Sequence, residues 1–112
     1  MTAIGEAYLA AGSDIVSTNT FSANTISQAD YGAEHLVADI NHESARLGRE
    51  AADRYQDRDG RRRFIAGAVG PTNKTLSLSP DVNNPGYREI DFDELKDVYL
   101  EQVVAHRFRP PW

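Results

Sequence analysis

Apolar and polar positions divide the chain into alternating helical and extended segments. Residues 2–11 place Ile4, Ala7, Tyr8 and Ala11 at helical spacing, and Gly12 follows where a left-handed residue ends a helix. Asp14-Ile15-Val16-Ser17-Thr18 is a β-branched run that predicts a buried strand ending at Asn19. Residues 20–32 are polar and mixed, and Ser27 with Asp30 has the spacing of a capping box. From 33 to 56 the apolar positions Leu36, Val37, Ile40, Leu47, Ala51 and Tyr55, with Ala45 and Ala52 beside them, form one stripe of an amphipathic helix. Gln56 to Gly60 is a turn. Phe64 to Val69 is a second predicted buried strand, closed by Gly70-Pro71. A long polar loop spans 70–91, and a helix runs from near Asp91, its expected cap, to about His106. Asp93 and Glu94 suit the first turn of that helix, where the dipole favours acids.

The order is α-β-α-β-α, the pattern of parallel βαβ units. Two parallel strands with about three helices leave both sheet edges open. The pattern is that of an incomplete slice of a larger α/β sheet or barrel. In such barrels the ligand site lies at the C-terminal ends of the strands. Here those ends are Thr18-Asn19-Thr20-Phe21 and Gly70-Pro71-Thr72-Asn73-Lys74. Their hydroxyls and amides suit the carboxylate or ammonium of a small amino acid. The same residue types also close ordinary turns and cap helices.

Composition narrows the chemistry. The chain has 112 residues, room for one domain, and 40% apolar with 26% charged residues marks a folded globular chain. A net charge of −5 argues against a general nucleic-acid binder. No apolar run is long enough to span a membrane and no secretory signal is visible, so a cytoplasmic location is expected. Cysteine is absent, which removes disulfides, thiolate nucleophiles and thiolate metal ligands. Gly67 to Thr75 imitates a phosphate loop, but Asn73 stands where the glycine before Lys74 is needed. His35, Asp39 and His42 share a helix face that reads as solvated. Arg61-Arg62-Arg63 reads as a solvated basic run, and His106 has no evident partner.

Three stretches carry a resemblance. Tyr8 to Phe21, with Ser-Thr-Asn-Thr-Phe at its end, resembles the second-strand region of the homocysteine S-methyltransferase family. Ile26 to Leu36 and Gly67 to Arg88, the latter reading GAVGPTNKTLSLSPDVNNPGYR, resemble the homocysteine-binding module of its cobalamin-dependent branch. The likeness covers about residues 4 to 102. It implies a (β/α)8 TIM barrel and methyl transfer from methylcobalamin, recharged by methyltetrahydrofolate, to homocysteine, giving methionine. It implies zinc held by three cysteines on later strands, and partner folate and cobalamin domains in the intact enzyme. Carried over by position, Thr18, Thr20 and Phe21 line the homocysteine pocket, with Gly70, Pro71 and Thr72 beside it. Asn19 and Asn73 are weaker candidates. No catalytic acid, base or nucleophile is among them. Neither zinc nor cobalamin is expected on these residues, and the chain alone is expected to be inactive.

Residues 1–102 are thus read as a partial barrel domain. The tail, 103–112, leaves the family pattern and reads as a shifted frame or truncated gene would. The alternatives are a cobalamin-independent homocysteine methyltransferase, or a non-functional product that associates with itself through its open sheet edges.

Overall fold

The structure, a computed structural model, describes residues 2–107. Among these, four α-helices and two strands alternate as α1 (Thr2–Ala10), β1 (Ile15–Ser17), α2 (Thr25–Ala29), α3 (Val37–Asp59), β2 (Phe64–Ala66) and α4 (Phe92–His106), with a 3-10 turn at Glu34–Leu36. β1 and β2 pair in parallel, with Ile15 opposite Phe64, Val16 opposite Ile65 and Ser17 opposite Ala66. Backbone bonds from Phe64 N to Asp14 O and from Thr18 N to Ala66 O, each 2.9 Å, extend the ladder at either end. The chain is therefore a small α/β fold, with α3 as the crossover between its strands.

Local signals set most element ends. Gly12 adopts φ 101° after α1, and Gly60 adopts φ 72° after α3; the turn expected from Gln56 does not form, because the helix runs on to Asp59 and only Gly60 can take the left-handed stop. The Gly60 N–H then returns to Gln56 O at 2.7 Å, the left-handed helix stop that glycine allows without a Cβ clash. Asp91 opens α4 with a complete capping box: its carboxylate accepts from Glu94 N at 2.8 Å, and Glu94 accepts from Asp91 N at 3.0 Å. The Ser27–Asp30 box does not form. Asn24 caps the short helix α2 instead, its Oδ1 accepting from Ser27 N at 2.8 Å, while Asp30 stands at the C-terminal end. Asx side chains reach the third residue's N–H as well as hydroxyls do, so the polar stretch 20–32 held a cap in a different frame.

The packed faces differ from the expected ones. On α1 the buried residue is Leu9, while Ile4 and Tyr8 are exposed. Leu36, in the 3-10 turn before α3, is exposed, and the buried positions of α3 include Val37, Asn41, Ala45 and Ala52, a stripe of mostly small side chains. Small residues let the helix approach the strand closely: a Cβ on Gly48 would stand 3.2 Å from the Ile65 side chain. The strands are not buried on both sides. Val16 and Ile65 are partly covered, whereas Ile15 is 61% and Phe64 50% exposed on the opposite face. All helices that pack on this sheet cover one face, so a run of apolar residues sees two environments.

Arg63 is also unlike its expected solvated state. Its side chain is 2% exposed, and its guanidinium forms a two-point pair with Asp59, Nη2 to Oδ2 at 2.5 Å and Nη1 to Oδ1 at 2.8 Å. That pair, together with the Arg61 N–H, holds the Asp59 carboxyl far below the usual carboxylate range. Arg49 Nη1 donates to Arg63 O at 2.8 Å, so the crossover helix grips the start of β2. The long 70–91 loop is organised by Arg88. Its guanidinium donates to the carbonyls of Leu76 (2.7 Å), Pro85 (2.8 Å) and Tyr87 (2.7 Å).

Of the expected tail, residues 103–106 continue α4, while Pro110, Pro111 and Trp112 lie outside the described residues. Among the described residues no helix is long and apolar enough to cross a membrane.

Removing the α4 cap tests the role of local signals. Asp91→Ala is expected to destabilise the chain by about 1 kcal/mol, read as a lower urea midpoint. An unchanged midpoint would show that packing alone holds the helix start.

Candidate functional site at the strand ends

Parallel pairing brings the C-terminal ends of β1 and β2 to the same edge, so the loops after Thr18 and after Ala68 are neighbours. Within them the expected residues separate into two groups. Thr18, Thr20 and Gly70 are buried, Thr72 is partly covered, and Asn19, Phe21 and Pro71 are exposed. Gly70 is where the two loops touch. A Cβ there would lie 2.4 Å from Phe21 O and 2.8 Å from its ring, so the close approach admits only glycine. Thr72 turns its hydroxyl back on its own loop, donating to Lys74 O at 2.8 Å. Asn73, the weaker candidate, donates from Nδ2 to Asp30 Oδ2 at 2.7 Å.

Thr18 and Thr20 form a closed hydrogen-bond cycle with Ala68, just beyond β2. Ala68 N donates to Thr18 Oγ1 at 2.9 Å, Thr18 and Thr20 hydroxyls lie 2.6 Å apart, and Thr20 Oγ1 donates to Ala68 O at 2.8 Å. Each hydroxyl has one proton. With Thr20 donating to Ala68 O, Thr18 must donate to Thr20. His106 Nε2 then lies 2.8 Å from Thr20 Oγ1, which has its second acceptor position left. The ring therefore donates through an Nε2–H, and Thr20 Oγ1 accepts two bonds and gives one.

His106 is the residue whose place sequence reasoning missed. It was read as partnerless, yet it closes against a residue 86 positions earlier. Its ring also packs on Gly67, where a Cβ would meet it at 2.9 Å. The only available signal was spacing: Tyr99, Gln102 and His106 recur at helical intervals on α4. Tyr99 donates its hydroxyl to Gly70 O at 3.2 Å, and Gln102 Nε2 donates to Thr20 O at 2.8 Å. One face of α4 thus serves both strand ends.

Beside these loops, an open cleft of about 620 Å³ lies between α1, β1 and α3. Ile4, Tyr8, Leu9, Val16 and Leu47 make it largely apolar, and it reaches Thr18 and Asn19 at one end.

The donor set does not fit a zinc ion. Thiolates are absent from the sequence, and among the described residues no three His, Asp or Glu side chains stand close enough to share a metal. His35, Asp39 and His42 are exposed. The site as built can position a small polar molecule through hydroxyls, amides and backbone groups.

The class defined so far is an α/β protein with a polar binding edge at the ends of parallel strands. Residues 1–108 match the homocysteine S-methyltransferase family, and the chain belongs to that family. Homocysteine S-methyl transfer is the activity that names this family.

Burial pushes the His106 imidazole below its ordinary range. Protons therefore bind the unfolded chain more readily, and His106 weakens the fold as pH falls below about 6.5. Wild type is expected to lose more stability between pH 7.5 and 5.5 than His106→Gln, whose amide donates without titrating. Equal losses in urea melts of the two proteins would contradict this.

Proposed function

We propose that this chain is part of a (β/α)8 barrel that binds homocysteine for methyl transfer to its sulfur, in the cobalamin-dependent branch of the family. The bare inner face of the sheet carries the reading. Ile15, Ser17, Phe64 and Ala66 lie exposed on one side with no layer of described residues over them, while helices cover the other. In a closed barrel that inner side is filled by residues from the other strands. The long Gly67 to Arg88 stretch is what favours the cobalamin-dependent branch over a cobalamin-independent one.

In this reading residues 1–102 belong to the barrel domain. Asn19, Phe21, Pro71 and Thr72 face homocysteine. Thr18, Thr20 and Gly70 hold those loops in place, because they are buried behind them. The role is orientation of the amino-acid end of the substrate. Zinc supplies the thiolate when bound, since a metal ion keeps a thiol deprotonated at neutral pH. Zinc and cobalamin are held by residues other than these. The methyl donor, the zinc ligands and the folate and cobalamin domains are partners of the intact enzyme, and a cytoplasmic setting suits its reduced thiol substrate.

Titrating the isotope-labelled chain with L-homocysteine tests the reading. Amide shifts are expected within 19–21 and 70–72, with affinity on the order of millimolar, about 4 kcal/mol. Shifts elsewhere only, or none, would overturn the pocket. No methionine is expected from homocysteine and methylcobalamin with this chain alone, and its appearance by mass spectrometry would refute the supporting role assigned here.

A further inference from the structure

Beyond Thr18, the backbone ladder between the two strands ends. Its last bond runs from Thr18 N to Ala66 O. Something else must set the distance between the loop at 19–21 and the loop at 70–72. Side chains do this, and one of them reaches Thr20 in the first loop and Ala68, which leads into the second. Gln102 is fully buried, and its Nε2 donates to Thr20 O at 2.8 Å and stands 3.4 Å from Ala68 O. The amide's orientation is unambiguous, since exchanging its two ends would set Oε1 against two carbonyls.

We propose that Gln102 is a positioning residue that fixes the separation of the two homocysteine loops. This rests on the reading of the strand ends as the substrate pocket. A primary amide carries two N–H groups on one atom, so it can satisfy two carbonyls on different strands at once. Neither carbonyl depends on it alone. Thr20 O also accepts from Ala23 N at 3.1 Å, and Ala68 O also accepts from Thr20 Oγ1 at 2.8 Å. Gln102 Oε1 accepts no hydrogen bond from any described group. Loss of the amide therefore strands no buried carbonyl, and it removes an acceptor that has no partner. Its contribution is geometric: it ties the loops to α4 and to each other. Tyr99 on the same face adds a tie to Gly70 O only, on one loop.

The test is amide exchange by NMR on the full chain. Ala23 and Ala68 report the two loops, and Thr18 and Phe64, both in the ladder, report the sheet. Gln102→Met keeps length and loses both donors. It is expected to lower protection at Ala23 and Ala68 together by about tenfold, with Thr18, Phe64 and the urea midpoint unchanged. Gln102→Glu adds a readout that simple packing would not move. Its carboxylate repels both carbonyls, whereas its protonated form donates to one. Relative to wild type at the same pH, in which His106 beside Thr20 titrates equally, protection at the loops is expected to be low at pH 7.5 and to recover as pH falls through the carboxyl's titration. Unchanged loop protection in Gln102→Met overturns the proposal, and so does an equal fall at Thr18 and Phe64. L-homocysteine added to the same samples separates the two readings. Loop shifts in wild type that weaken about tenfold in Gln102→Met support both. Loop shifts of equal strength in the two proteins overturn the positioning role and leave the pocket. Absence of shifts in wild type, with protection behaving as expected, removes the pocket and with it the substrate role of Gln102.

Discussion

The parallel register of β1 and β2 is the constraint on which the rest depends. Parallel neighbours cannot be joined by a tight turn, so the chain must cross over through a helix and re-enter at the same end. α3 is that crossover, and its small residues and Gly48 let it lie close on Ile65. The consequence is topological. Both strands leave the sheet at the same edge, and two loops 50 residues apart in the chain become neighbours. A polar binding edge is then available without any residue having been close in sequence.

Neighbouring loops still need fixed positions, and backbone hydrogen bonding stops at Thr18. α4 takes over through Tyr99, Gln102 and His106, spaced so that one helix face runs down the strand ends. The threonine cycle and the imidazole share protons in a single consistent arrangement. Thr20 is at the centre of it, with its hydroxyl bound to Ala68 and His106 and its carbonyl bound to Ala23 and Gln102. Buried polar groups are costly unless paired, so the paired threonine hydroxyls and imidazole at this place stiffen the two loops. Thr18 and Thr20 are buried behind the exposed Asn19 and Phe21.

The sheet's two faces tell different stories. The helix side is packed. The other side leaves Ile15 and Phe64 largely open, an unusual state for β-branched and aromatic residues in a strand. Family membership over residues 1–108 and this bare face are independent observations, one from residue identity and one from burial. They meet in the barrel reading, where the inner side of every strand is covered by its counterparts across the barrel.

By itself the sequence determined what local chemistry controls: the α/β alternation, the stop at Gly12, the start at Asp91, and the family, through Ser-Thr-Asn-Thr-Phe. These depend on dihedral preference, capping and residue identity within a few positions. Tertiary structure alone decided which face of each element is buried. Leu9 rather than Tyr8, Asn41 beside Val37, and a buried Arg63 paired with Asp59 all follow from what lies opposite, which periodicity does not contain. His106 and Gln102 belong to the same category. Their partners stand 86 and 82 residues away, and only the folded register brings them within hydrogen-bond reach.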